Sequence, residues 1–229
     1  MVDEPEVKRE PFDIFTVVGS SLFQPLADLI DKLLAKEERA PGPSGPSCAE
    51  NGYAVAIIVL LNVVLESYLA RVKVRRPSEV QNGKNVPEQL GIFFASLPNV
   101  DALKDVYLVG KIASHNHIWN LELTEPEAAA VTLKNPRELG FASKKDYESI
   151  VDVSTRKTRL LQLNASPTAL DRHDVKVVLE VVWTTLMFMA AENYDHTPVH
   201  AHAIRFRGKS MGFGELLPLF PSAGTAKTP

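Results

Sequence analysis

The sequence predicts a mostly α-helical protein: a bundle of four or five helices followed by a small C-terminal β-hairpin. Three observations predict it. The segments Asn51–Lys73, Asp101–Leu121 and Asp174–Glu192 each carry a broad apolar face at helical spacing, and such faces bury against one another. Proline and glycine cluster between these segments, as in Ala40–Ser47, and no proline lies inside them. After Val199 the pattern changes to period two and meets a glycine at Gly208, the signature of a hairpin.

Length and composition set the frame. At 229 residues the chain is one domain, large enough to bury a substantial core. The domain is expected over 12–220, with polar tails at 1–11 and 221–229 and a flexible linker at 40–48. A net charge of −3 offers no global field for nucleic acid or acidic membranes, so any such contact needs a local basic patch. The single Cys48 excludes an intrachain disulfide framework and fits a reducing compartment. The polar, acidic first residues do not read as a signal peptide. The longest apolar run, Tyr53–Leu65, is interrupted by Asn62 and is shorter than the roughly 18 residues of a membrane span. The expectation is a soluble, cytoplasmic protein with no membrane partner and no cofactor.

In chain order, Phe15, Val18, Leu22, Leu26, Leu29, Leu33 and Leu34 recur at helical spacing, and Pro25 starts or kinks that helix, which places its regular part at Pro25–Glu38. Asn51–Lys73 is apolar nearly all round and should be buried on several sides. Asn62 and Glu66 share a stripe on it. A carboxylate turned into a core is costly unless paired, so Glu66 either sits at the wet helix end near Arg71 and Lys73 or points with Asn62 at the next long helix. Arg75–Asn85 is a turn-rich loop, Val86–Ser96 a short helix opened by Pro87, and Asp101 a cap for the central helix. Thr124–Leu139 reads as irregular or a short helix, and Lys144–Lys157 as a polar segment. Asp171 caps the helix over His173–Asn193, whose polar stripe is Lys176, Glu180 and Thr184. Val199–Arg207 and Lys209–Phe213 pair as a hairpin about Arg207-Gly208-Lys209.

The chain is organised around Asp105–Leu121, read as helix throughout. At about 100° per residue, Lys104, Leu108, Lys111 and His115 share one stripe with Trp119 nearby. Val106, Val109, Gly110, Ala113 and His117 fall opposite. His115 thus has a cation one turn back, and His117 lies on a small apolar face suited to a core histidine. Ser154–Arg159 concentrates Arg156, Lys157 and Arg159, a patch able to contact phosphate or simply a solvated loop.

Four of the histidines fall in two His-x-His pairs. His115 and His117 sit at i and i+2, which do not face each other on a helix, whereas His200 and His202 would share one side of a strand and could ligate a metal together. No CxxC, HExxH, P-loop, GxGxxG or GxSxG motif is present. The string His115-Asn116-His117 lacks the hairpin context of the metal nucleases it spells.

The pairing of a histidine-bearing helix with one bearing Asn62 and Glu66 resembles the HEPN superfamily (higher eukaryotes and prokaryotes nucleotide-binding). The resemblance covers the helices at 51–73, 103–121 and 173–192. It is carried by Leu65-Glu66-Ser67-Tyr68-Leu69, like an acidic position on an early HEPN helix, and by Gly110–His115 followed by Asn116-His117, like the family's arginine-polar-x-x-x-histidine motif. The family arginine falls on Gly110, the next polar residue is Lys111, and Lys111 to His117 fits the looser spacing if lysine replaces arginine. The resemblance implies a HEPN-like bundle and a metal-independent RNase or RNA-binding protein of toxin–antitoxin or antiphage type. It implies His115 as acid/base, Lys111 on the phosphate, Asn116 orienting, and Glu66 and Asn62 in support. Histidine suits proton transfer near neutral pH, and lysine supplies charge without arginine's bidentate fork. Arg156, Lys157 and Arg159 would bind RNA. A homodimer and an antitoxin or defence partner are the expected assemblies. The alternative reading is a non-catalytic helical interaction module, and the third a metal-binding enzyme using His200 and His202.

Overall fold

The computed structural model describes residues 18–36, 46–114, 119–125, 128–133, 144–192 and 203–221. Over these the protein is mostly helical, with two antiparallel hairpins and a shorter two-residue ladder.

The bundle is built on α2 (Cys48–Arg75), which α1 (Phe23–Leu34), α4 (Val100–Ser114) and α6 (Arg172–Glu192) all contact. Its apolar residues are spread round the axis, so it buries Ile57, Leu61, Leu65 and Tyr68 on several sides at once. By length and composition α2 could cross a membrane, and in this fold half of its most apolar stretch is buried inside the protein. It begins before its apolar run, at Cys48, because the Ser47 hydroxyl accepts from the Glu50 amide and caps it. Behind that cap, Glu50 makes a buried ion pair with Arg172 at 2.7 Å, and Arg172 also donates to the Lys36 carbonyl, so one guanidinium joins α1, α2 and α6.

The remaining helices follow local signals. α1 has Pro25 in its first turn and buries Phe23, Leu26, Ile30 and Leu33. α3 (Val86–Phe93) opens on a capping box in which Asn85 and Glu88 accept from each other's amides. Asp101 lies inside the first turn of α4, paired with Lys104, not at its cap. Asp171 caps α6, its carboxylate accepting from the His173 and Asp174 amides, as the sequence predicts. Lys176, Glu180 and Thr184 form the wetter stripe of α6.

The central segment departs from expectation. Among the described residues its helix runs to Ser114, and Trp119–Leu121, read as its last turn, belongs to a strand. β1 (Trp119–Glu125) pairs antiparallel with β2 (Ala128–Leu133), where a short helix or irregular chain was expected. The physical reason is visible in the residues. From Trp119 to Thr124 apolar and polar side chains alternate strictly, and that period puts one class on each face of a strand. The polar segment after it also has structure: α5 (Lys144–Ile150), then β3 (Val151–Asp152) paired with β4 (Lys157–Thr158).

The C-terminal hairpin is present as β5 (Ala203–Phe206) and β6 (Lys209–Gly212), with Arg207 and Gly208 both at positive φ in the turn. Gln24 of α1 both donates to and accepts from the Arg205 backbone, and Asp31 pairs with Arg207 at 2.6 Å, so the hairpin is latched to α1. Phe213–Leu219 turns as a 3-10 helix and not as strand, bringing Phe213 against Phe23 and Trp183.

Candidate functional site

Where α2 and α4 pass each other they leave a recess of about 200 Å³ lined by Val59, Asn62, Val63 and Glu66 from α2 and by Tyr107, Gly110, Lys111 and Ser114 from α4. Each helix contributes the same i, i+3, i+4, i+7 stripe, the set that one helical face presents to a neighbour. Asn62, Glu66 and Lys111, singled out from the sequence on separate segments, therefore come together.

The floor is the closest approach of the two helices. A Cβ added to Gly110 would fall inside the Asn62 amide, nearer than real Cβ atoms come. A larger residue at Gly110 would therefore have to displace the Asn62 amide, which is buried and bonded to the Ile58 carbonyl. Asn62 is 8% exposed and donates from Nδ2 to the Ile58 carbonyl of its own helix at 3.0 Å. Gly110 was expected opposite Lys111. It instead lines the same recess, because the recess spans the gap between the two positions.

The charges stand on different walls. On the α4 side, the Lys111 ammonium lies over the Tyr107 ring, 5.1 Å from its centroid, a cation–π contact that draws the cation to that wall. On the α2 side, Glu66 is exposed and has no hydrogen-bond or ion-pair partner among the described residues. Ser114 ends the α4 stripe, its hydroxyl donating back to the Gly110 and Lys111 carbonyls. Val63, 41% exposed, forms an apolar lip. Tyr107 was missed in the sequence, although its i−4 spacing from Lys111 was the available signal.

The basic patch lies elsewhere. Leu108 and Ile112 of α4 pack on Val151 and Ala165, so α5, β3 and β4 cover the side of α4 turned away from the recess. This unit carries Arg156 and Arg159, both exposed, and Lys157, which pairs with Asp152 in the ladder. Arg159 Nε donates to the Glu148 carbonyl. Two buried carboxylates tie the segment down. Asp105 accepts from the Leu160 and Leu161 amides at 3.2 and 2.9 Å. Asp174 accepts from the Asn164 amide and side chain and from the Asp171 amide. Burial pushes both carboxyls above the usual range against these donors, Asp174 to about 6 with Asp171 adding repulsion.

His115, Asn116, His117, His200 and His202 lie outside the described residues. Among the described residues no group of three or more His, Cys, Asp or Glu is arranged to hold a metal. Compared with known protein families, curated proteins and solved structures, the chain matches none.

Proposed function

We propose that the protein is a HEPN-like ribonuclease or RNA-binding protein of toxin–antitoxin or antiphage type, acting without a metal. The observation that supports this reading is the recess itself, where the Lys111 stripe of α4 faces Asn62 and Glu66 of α2. Ser114, the last residue of that stripe, is followed directly in the chain by His115. In this reading His115 moves the proton of the ribose 2′-hydroxyl or of the leaving 5′-oxygen. The 2′-oxygen attacks the adjacent phosphorus, the bond to the 5′-oxygen breaks, and a 2′,3′-cyclic phosphate and a free 5′-hydroxyl result. Lys111 offsets the charge that builds on the phosphate, and Asn116 orients a participant. Asn62 braces the floor against Gly110. Arg156, Lys157 and Arg159 would hold RNA running round α4, at a distance from the cut. The protein would act in the cytoplasm, off the membrane, as a homodimer held in check by an antitoxin or defence partner.

A second reading, a non-catalytic helical interaction module, is favoured by one observation. The position where the family carries arginine is Gly110, and packing against Asn62 leaves it no room for a side chain.

Incubation of the purified chain with total RNA in EDTA separates the two readings. Cleavage should persist in EDTA, His115→Ala should lose about 10²–10⁴-fold, and Lys111→Ala should lose less, since an ammonium lacks a bidentate fit. Equal, small losses at both positions with folding intact would leave the interaction module.

A further inference from the structure

We propose that the α2–α4 recess recognises guanine, with Glu66 accepting from the base and Lys111 holding its phosphate. The proposal rests on the ribonuclease reading for the identity of the ligand as RNA, and it makes specific the supporting role that reading gives Glu66. A carboxylate repels phosphate, so a site that handles only the backbone gains nothing from Glu66. Nothing in the described fold consumes this group either: it is exposed, without a partner, and lines the recess beside Asn62 and Val63. Its charge is kept apart from that of Lys111, which Tyr107 draws to the other wall.

A ligand that suits both walls is anionic at one end and carries donors at the other. Among the four bases, guanine alone offers two parallel donors on its Watson–Crick edge, N1–H and the 2-amino group, which match the two oxygens of a carboxylate. Adenine and cytosine place one amino donor beside an acceptor nitrogen, and uracil places its N–H between two carbonyls, so each would set an acceptor against a carboxylate oxygen. Single-stranded RNA is read on this edge when a base is splayed out. At about 200 Å³ the recess is smaller than the roughly 300–1,000 Å³ of sites for drug-sized ligands. It therefore takes one planar base against Val59 and Val63, with the phosphate at the rim beside Lys111 and Ser114.

The test is binding of 5′-GMP, 5′-IMP, 5′-AMP and 5′-CMP to the full chain by calorimetry, alongside mapping of cleavage sites on an RNA oligonucleotide containing all four bases. 5′-GMP should bind about tenfold or more tightly than 5′-IMP, which lacks the 2-amino group, and than the other two. Glu66→Gln, at an exposed position, should erase that preference. Lys111→Ala should weaken all four nucleotides alike. Cleavage confined to steps at guanine, with no preference among free nucleotides, would still support base reading by Glu66 if Glu66→Gln scatters the sites. Equal binding of all four nucleotides with cleavage indifferent to base would overturn the proposal and leave the ribonuclease reading standing. Binding of none, with no cleavage sensitive to His115→Ala, would overturn both.

Discussion

Helix α4 has two working sides, and they treat charge in opposite ways. Towards β3, β4 and the loop after them it buries Asp105 and spends both the carboxylate and its neighbours on structure: two loop amides donate to it, and Leu108 and Ile112 seal the contact. Towards α2 it leaves Lys111 at the rim of a recess, in a cation–π contact with Tyr107, and faces it with Glu66, which has no partner among the described residues. The difference teaches which polar groups are free to act on something else. A charge answered by backbone donors in a closed seam is already committed, and removing it strands those donors. A charge at an open rim costs the fold little to keep and little to lose.

The largest expected effect follows from the closed side. Asp105→Ala leaves the Leu160 and Leu161 amides without their acceptor and opens a void beside them, so urea denaturation should show a loss of about 2–4 kcal/mol. Lys111→Ala should stay within about 0.5 kcal/mol. If the two variants lose equal stability, the contrast between the faces is wrong.

Gly110 probes the open side from below. Gly110→Val places branched carbon inside the Asn62 amide, and displacing that buried amide or the helix behind it should cost about 1–3 kcal/mol, set against only roughly 0.3–0.5 kcal/mol gained in helix propensity. A Gly110→Val protein of undiminished stability would mean that the helices do not meet there.

The last effect is one of pH and sharpens the account of the closed side. The carboxyl of Asp174 is raised in the folded protein to about 6 from an ordinary 3.8. The folded state therefore holds this proton more tightly than the unfolded chain. The stability it contributes is fully present below about 3.8 and is lost as pH rises through about 6. The Tm of the native protein should fall between pH 4 and 7 by more than that of Asp174→Asn, in which no proton is exchanged at this position. Identical slopes for the two proteins would show that Asp174 does not carry the raised carboxyl.

The extent to which the sequence could be read varies with the range of the interaction. Ser47, Asn85 and Asp171 cap helices because each meets amides two or three residues away, and two of the three helix starts could be anticipated from proline or aspartate in the right place. The hairpin about Arg207-Gly208 followed from period-two spacing and a glycine at the tip, where φ is positive. The alternation from Trp119 to Thr124 was equally local, yet an apolar run leading out of a helix hid the change of period, and the helix was carried too far. For the site, Asn62, Glu66 and Lys111 stood out as polar groups on apolar helices, whereas Tyr107 did not, because an aromatic on a core helix looks like packing.

By itself, then, the sequence determined a helical bundle, the helices that carry its core, and a short roll of polar residues out of keeping with their surroundings. Periodicity and caps act within a few residues, and the chain states them directly. Only the tertiary structure decided which neighbour each stripe meets. The partition of α4 into a closed face with Asp105 and an open one with Lys111 depends on where the loop after β4 and α2 come to rest. The crowding at Gly110 depends on the amide of Asn62, 48 positions earlier in the chain. Such contacts arise from the joint packing of whole helices, and no local period encodes them.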